Sequence, residues 1–128
     1  MSLTNSFETS TLTWLLTGGS PSPARPSAWY LGLFTAAPSD TGGGTEVAGS
    51  GYAREAVTFT VSGDTASNNA AIEFATATGS WGTITHVAVF DASTSGNMIC
   101  YAALTASKTI ETGDVFRVPA GDLDVTLD

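Results

Sequence analysis

From Ala28 onward the apolar residues of this chain recur at every second position, in short runs interrupted every eight to twelve residues by glycine, proline, asparagine, aspartate or serine. That spacing suits strands with one face buried, and its regular punctuation suits a sandwich or barrel. Ala28 to Thr35 is apolar on both sides, holding Trp29, Tyr30, Leu31, Leu33 and Phe34, and reads as a central strand. Glu55 to Val61 alternates, with Val57, Phe59 and Val61 on one face, and Gly63-Asp64 then turns the chain. Ser67 to Phe74, Thr83 to Phe90, Asn97 to Leu104, Val115 to Val118 and Leu123 to Leu127 complete a set of about seven or eight strands. Twenty Thr and fourteen Gly suit this reading, because threonine fits a pleated surface and glycine supplies the positive φ of tight turns.

Helical spacing occurs once. Over residues 5–16, Leu12, Leu15 and Leu16 repeat at i, i+3, i+4, Asn5 and Glu8 have capping-box spacing, and Gly18-Gly19 marks the stop. Residues 20–27 contain three prolines and read as an extended, semi-rigid connection. With 128 residues, close to the common size of one domain, the expectation is a single domain over 1–128. Its class is all-β: an antiparallel β-sandwich with a short N-terminal helix.

Charge narrows the partners. Twelve acidic residues against four basic ones leave a net charge of −8, which repels nucleic acid and anionic lipid. No apolar run approaches the roughly 20 residues of a membrane span, and the N-terminus has no export signal. Assembly in the cytoplasm of a host is expected.

Chemistry-bearing residues are isolated. His86 sits in an apolar strand, where service as a general base needs a nucleophile and an orienting acid beside it; a strand histidine satisfied by its neighbours is the plainer reading. Cys100 lies in a similar strand with no adjacent cation and reads as a buried, inert thiol. The C-terminal alternation places Leu123, Val125 and Leu127 on one face and Asp122, Asp124, Thr126 and Asp128 on the other. Calcium is conceivable there, but a solvated face whose like charges block edge pairing is the plainer reading. Gly42-Gly43-Gly44 lacks the lysine and following helix of a phosphate loop and reads as a turn. The sequence therefore points to no enzyme, no catalytic, cofactor-binding or metal-binding residues, and no cofactor. Trp29, Trp81, Tyr30, Tyr52 and Tyr101 remain as interface anchors or core, with Trp29 expected in the core and Trp81, between glycines, expected to be partly exposed.

The run Trp29-Tyr30-Leu31-Gly32-Leu33-Phe34-Thr35-Ala36-Ala37-Pro38-Ser39-Asp40, with Gly44-Thr45-Glu46-Val47, Gly51-Tyr52-Ala53-Arg54, Ser80-Trp81-Gly82-Thr83 and Ala120 to Asp128, resembles a group of small tailed-bacteriophage proteins labelled phage tail fibre proteins. The likeness covers nearly the whole chain. It implies a virion structural protein on the outer surface of the particle. A complete fibre needs a shaft, and the sequence has neither heptads nor repeats. The expectation is therefore an outer capsid decoration (cement) protein that stabilises the head, a homotrimer in contact with the major capsid protein. The alternative is a tail-fibre or baseplate module that contacts other fibre components and binds a host surface receptor.

Overall fold

A computed structural model describes residues 1–127; Asp128 of the acidic C-terminal face lies outside the described residues. Ahead of the helix runs β1 (Ser2–Leu3), followed by α1 (Asn5–Leu16), β2 (Tyr30–Ala36), β3 (Thr45–Glu46), β4 (Glu55–Ala56) and β5 (Phe59–Ser62). The chain continues through β6 (Thr65–Asn68), β7 (Ile72–Glu73), β8 (Gly82–Phe90), β9 (Met98–Ile110), β10 (Arg117–Val118) and β11 (Asp124–Thr126). All pairs are antiparallel. The main sheet runs β1-β9-β8-β2-β3, with β4 also on β2, and two small sheets, β11-β6-β5 and β10-β7, supply the second layer. This is the all-β sandwich with one short helix that the alternation implied.

The strands are more numerous and shorter than seven or eight, because several runs bend. Glu55 to Val61 is cut in two: β4 pairs with β2 in the main sheet, and β5 pairs with β6 in the other layer. At the cut, the Val57 amide bonds to the Trp29 carbonyl. Ser67 to Phe74 divides too, into β6 and β7, which belong to the two different small sheets. In the other direction, β9 outruns its expected end at Leu104, since Lys108 to Ile110 pair with Gly82 to Ile84 across a register shift. The side chains from Thr105 to Thr109 are exposed, so hydrophobic periodicity carries no trace of that extension. Gly63 takes a φ of 63° in the two-residue β5–β6 turn, as the expected Gly63-Asp64 hairpin requires.

Residues of the main sheet separate by face. Leu31, Leu33, Val87, Val89 and Cys100 point into the sandwich core, where Ile72, Phe74, Phe116 and Leu123 meet them from the other layer. Phe34, Ala88, Phe90 and Met98 form a smaller cluster on the opposite face. Trp81 reverses its expected place. It is buried, edge-on to Tyr52 and Phe74, and its indole N–H donates to the Ser50 carbonyl at 2.9 Å. Its glycine neighbours thus serve close packing; exposure falls instead on Trp29, which is half-buried, and on Trp14.

Helix α1 occupies its expected span with different ends. Thr4, not Asn5, is the N-cap, and its hydroxyl donates to the Met98 carbonyl at 2.7 Å, fastening the helix to β9. At the C-terminus Thr17 is extended and its N–H returns to the Thr13 carbonyl, so the stop needs no left-handed glycine. The 20–27 segment is held to α1 by a bond from Ser10 Oγ to the Pro23 carbonyl.

One buried polar side chain joins the small sheets. The Asn68 amide donates to the Ala70 and Pro119 carbonyls at 2.9 and 3.0 Å and accepts from the Leu123 N–H at 2.9 Å. Replacing it with alanine removes three bonds worth about 1 kcal/mol each, and Asn68→Ala is expected to lose about 3 kcal/mol in denaturant unfolding. A loss below about 1 kcal/mol would show that water takes over the amide's role.

Candidate functional site

On the second face of the main sheet the chain must bridge a gap. Strand β3 pairs with the end of β2, at Phe34 and Ala36, and β4 pairs with its start, at Tyr30 and Leu31. Between them the Leu33 N–H has no strand partner, and Tyr52 supplies one: its hydroxyl accepts from Leu33 N at 3.0 Å and donates to Glu46 Oε2 at 2.6 Å. Arg54 completes the arrangement. Its Nε and Nη2 grip both Glu46 oxygens at 2.8 Å each, and Nη1 donates to the Ala92 and Ser95 carbonyls at 2.9 and 2.8 Å. Its guanidinium carbon lies 3.5 Å from the centroid of the Phe90 ring. Gly32 makes room, since a Cβ there would stand 2.9 Å from Glu46 Oε2.

These contacts set the titration of the group. Burial alone would raise the Glu46 carboxyl, but hydrogen bonds from Arg54 and Tyr52 and the Arg54 charge outweigh it and hold the carboxyl below its usual range. The Tyr52 phenol is raised, first by burial and then by its bond to Glu46.

Beside this network lies an open cleft of about 520 Å³. Phe34 and Phe90, stacked with centroids 6.1 Å apart, lie beneath it together with Met98. One wall is the Asp40 to Gly44 loop, the other is Gly96-Asn97, and the first residues of α1 close an end. The turn expected at the triple glycine falls just before it, at Asp40-Thr41, where Ser39 and Gly42 exchange backbone bonds at 2.8 and 2.9 Å, and Gly42 to Gly44 lead out of it. Gly44 has φ 76°, and a Cβ on it would meet the Ala36 carbonyl at 2.8 Å. Asp40 is anchored twice: its carbonyl accepts from Asn5 N at 3.1 Å, and Oδ1 accepts from the Tyr101 hydroxyl at 3.0 Å. Asp91 holds Asn97 through its backbone N–H at 2.7 Å and its side-chain amide at 2.9 Å.

Of the residues singled out by sequence, few meet. His86 is half-buried, with Nδ1 2.9 Å from Thr85 Oγ1, and it stands outside the cleft. Burial pushes the Cys100 thiol up to about 12, as an inert core thiol requires. Asp124 accepts from Ser67 Oγ on the neighbouring strand. No group of three or more His, Cys, Asp or Glu side chains comes together among the described residues. Glu46, Tyr52 and Arg54 were not read as a unit; their signal was an arginine and a glutamate eight positions apart in a chain with only four cations.

The fold is that of a small all-β protein, an antiparallel sandwich with a polar-walled cleft on one face. The family described as podophage GP4 fiber I protein gp80 matches residues 2–126, and the chain belongs to that family. It is accordingly a bacteriophage fibre protein, a structural component of the virion, and its family supports the fibre alternative above better than capsid decoration. No curated protein matched the chain. Among the described residues no helix is long and apolar enough to cross a membrane.

Because Glu46 titrates lower when folded than when unfolded, its stabilisation is present above the ordinary carboxylate range and is lost as pH falls through the folded value. Thermal melts should therefore drop below about pH 4, and Glu46→Gln should flatten that drop. Arg54→Ala, which strands a partly buried carboxylate, should cost about 3 kcal/mol at pH 7. A variant as stable as wild type would remove the network from the account.

Proposed function

We propose that this chain is a non-enzymatic receptor-binding module of a podophage fibre, folded as one domain over residues 1–128 and carried as a homotrimer on the outside of the virion. It associates with other fibre components, is assembled in the host cytoplasm, and uses the cleft beside Arg54 to hold a glycan of the host surface. The fibre family supports the location. The observation that carries the ligand class is the cleft's polar lining, in which an anchored carboxylate at Asp40, an amide at Asn97 and exposed polar groups at Asn5 and Ser6 stand around a floor over buried Phe34 and Phe90. Sugars present hydroxyls that pair with carboxylate and amide groups.

Charge selects further within that class. Glu46 and Arg54 neutralise one another, leaving Asp40 as the cleft's unbalanced charge, on a chain of net charge −8. A neutral or amine-bearing glycan fits this field, and a polyanionic one is repelled. Three copies in one assembly let weak single sites hold a cell by avidity.

The purified protein is expected to bind host cells, and periodate oxidation of the cell-surface sugars should abolish that binding. Asp40→Ala and Asn97→Ala should each weaken it about tenfold, the scale of one or two lost hydrogen bonds. Cells bound equally well after periodate would contradict the glycan. Particles that lack the protein yet adsorb normally, and instead lose DNA on heating, would return the chain to the capsid.

A further inference from the structure

We propose that the open end of the sandwich binds a single-chain amphiphile of the fatty-acid class, its alkyl chain lying between the layers and its carboxylate on Arg25. The site is separate from the polar cleft and does not depend on the glycan reading.

The groove comes from the way the two layers part. The inward row leading through β5 goes from Val57, 3% exposed, through half-buried Phe59 to Val61, 71% exposed. The last strand follows the same course, from buried Leu123 through Val125 to Leu127 at 56%. Val61 and Val125 are both paired to Ala66, so the two rows open at the same end. Between them and the main sheet lies a groove of about 430 Å³, lined by Trp29 and Ile99 on one side and by Phe59, Val61 and Val125 on the other. It reaches the buried side chains of Val89 and Cys100. Protein interiors are close-packed, so an apolar recess that touches the core is space the chain leaves unfilled. Its volume falls in the range of small-molecule sites.

One cation serves this groove. Arg25 lines it, exposed and without an ion-pair partner among the described residues, and no carboxylate shares the lining. This holds in a chain whose acids outnumber its cations twelve to four. The segment that carries Arg25 is also prepared. Pro23 and Pro26 restrict its backbone, and the Pro23 carbonyl accepts from Ser10 Oγ of α1. Less freedom is then lost when the guanidinium takes up a ligand. Arg25 borders a second hollow as well, with Trp14, Pro21 and Pro26, so an anion paired to it has apolar surface on both sides.

The lining chooses among occupants. Apart from Arg25 it offers only hydrocarbon, one indole and one thiol. A peptide brings an N–H and a C=O with each residue, and a sugar brings hydroxyls; between these walls such groups lose water and gain no partner. An alkyl chain has no such groups, and its burial is favourable along its whole length. A bilayer is too broad to enter the groove, and the net charge of −8 opposes an anionic membrane surface. A lone carboxylate answers instead to the nearest charge, since charges beyond about 8 Å are largely screened at physiological salt. A free amphiphilic anion satisfies both the walls and the cation.

The test titrates the full chain with hexanoate, octanoate and decanoate, each below its micelle concentration, by calorimetry and by NMR of the indole N–H groups. Each added methylene should tighten binding about fourfold, and the Trp29 indole signal should shift while that of Trp81 stays. Arg25→Ala should weaken decanoate about tenfold and leave the uncharged decanol unchanged. Val61→Asp, which sets a second carboxylate in the groove, should abolish decanoate binding. Both variants should melt near wild type because both positions are exposed. A chain that ignores decanoate, affinity that does not grow with chain length, or binding that either variant leaves intact would overturn the site. Light scattering on the same samples covers the other occupant: if a second copy fills the groove, Val61→Asp lowers the mass, wild type takes up no decanoate, and the proposal fails.

Discussion

Arg54 is the one buried cation among the described residues, and the second face of the sheet is organised by what it needs. A guanidinium taken from water must have its donors occupied or it costs several kcal/mol. Arg54 meets this demand with a bidentate grip on Glu46, two carbonyls of the β8–β9 loop and the face of Phe90. One side chain thus ties β3 to the end of β8 and the loop that follows it. Through Glu46 the constraint reaches Tyr52, and through Tyr52 the unpaired amide of Leu33. The cleft borders this frame and inherits its rigidity.

Much of the scaffold was legible because it rests on local patterns. The alternation in Thr83 to Phe90 needs no partner to be read as a strand, and the Gly63-Asp64 pair needs only its own dihedral preference to be read as a turn. What escaped depends on partners distant in sequence. At the break after Ala56 the chain changes layer, at the break after Asn68 it passes from one small sheet to the other, and alternation persists on both sides of each. Thr105 to Thr109 form strand because β8 pairs with them, although their side chains face water. Trp81 was misplaced because flanking glycines signal exposure as well as they signal close packing. The Arg54 network was invisible for the same reason: eight residues separate its charges, and only the fold turns them toward each other.

The molecule presents two unlike surfaces. One is the polar cleft on the outer face of the main sheet, and the other is the apolar groove between the layers near the proline segment. Beside the apolar core around Phe74, Trp81 and Phe116, satisfied polar groups such as Asn68 and Arg54 fix the geometry of the loops and sheet ends. Among the described residues no buried side-chain nitrogen or oxygen lacks a hydrogen-bond partner, which is the condition for such groups to rigidify and not destabilise.

The central claim is that the Tyr52 hydroxyl closes the gap in the sheet on behalf of the Arg54 network. Amide hydrogen exchange at Leu33, compared between wild type and Tyr52→Phe, tests it most directly. In wild type the Leu33 amide should be protected like that of Leu31, which lies in the paired part of the same strand. In Tyr52→Phe it should exchange at least about tenfold faster while Leu31 and Val87 keep their protection, consistent with a lost bond worth about 1 kcal/mol or more. Unchanged protection at Leu33 would contradict the account.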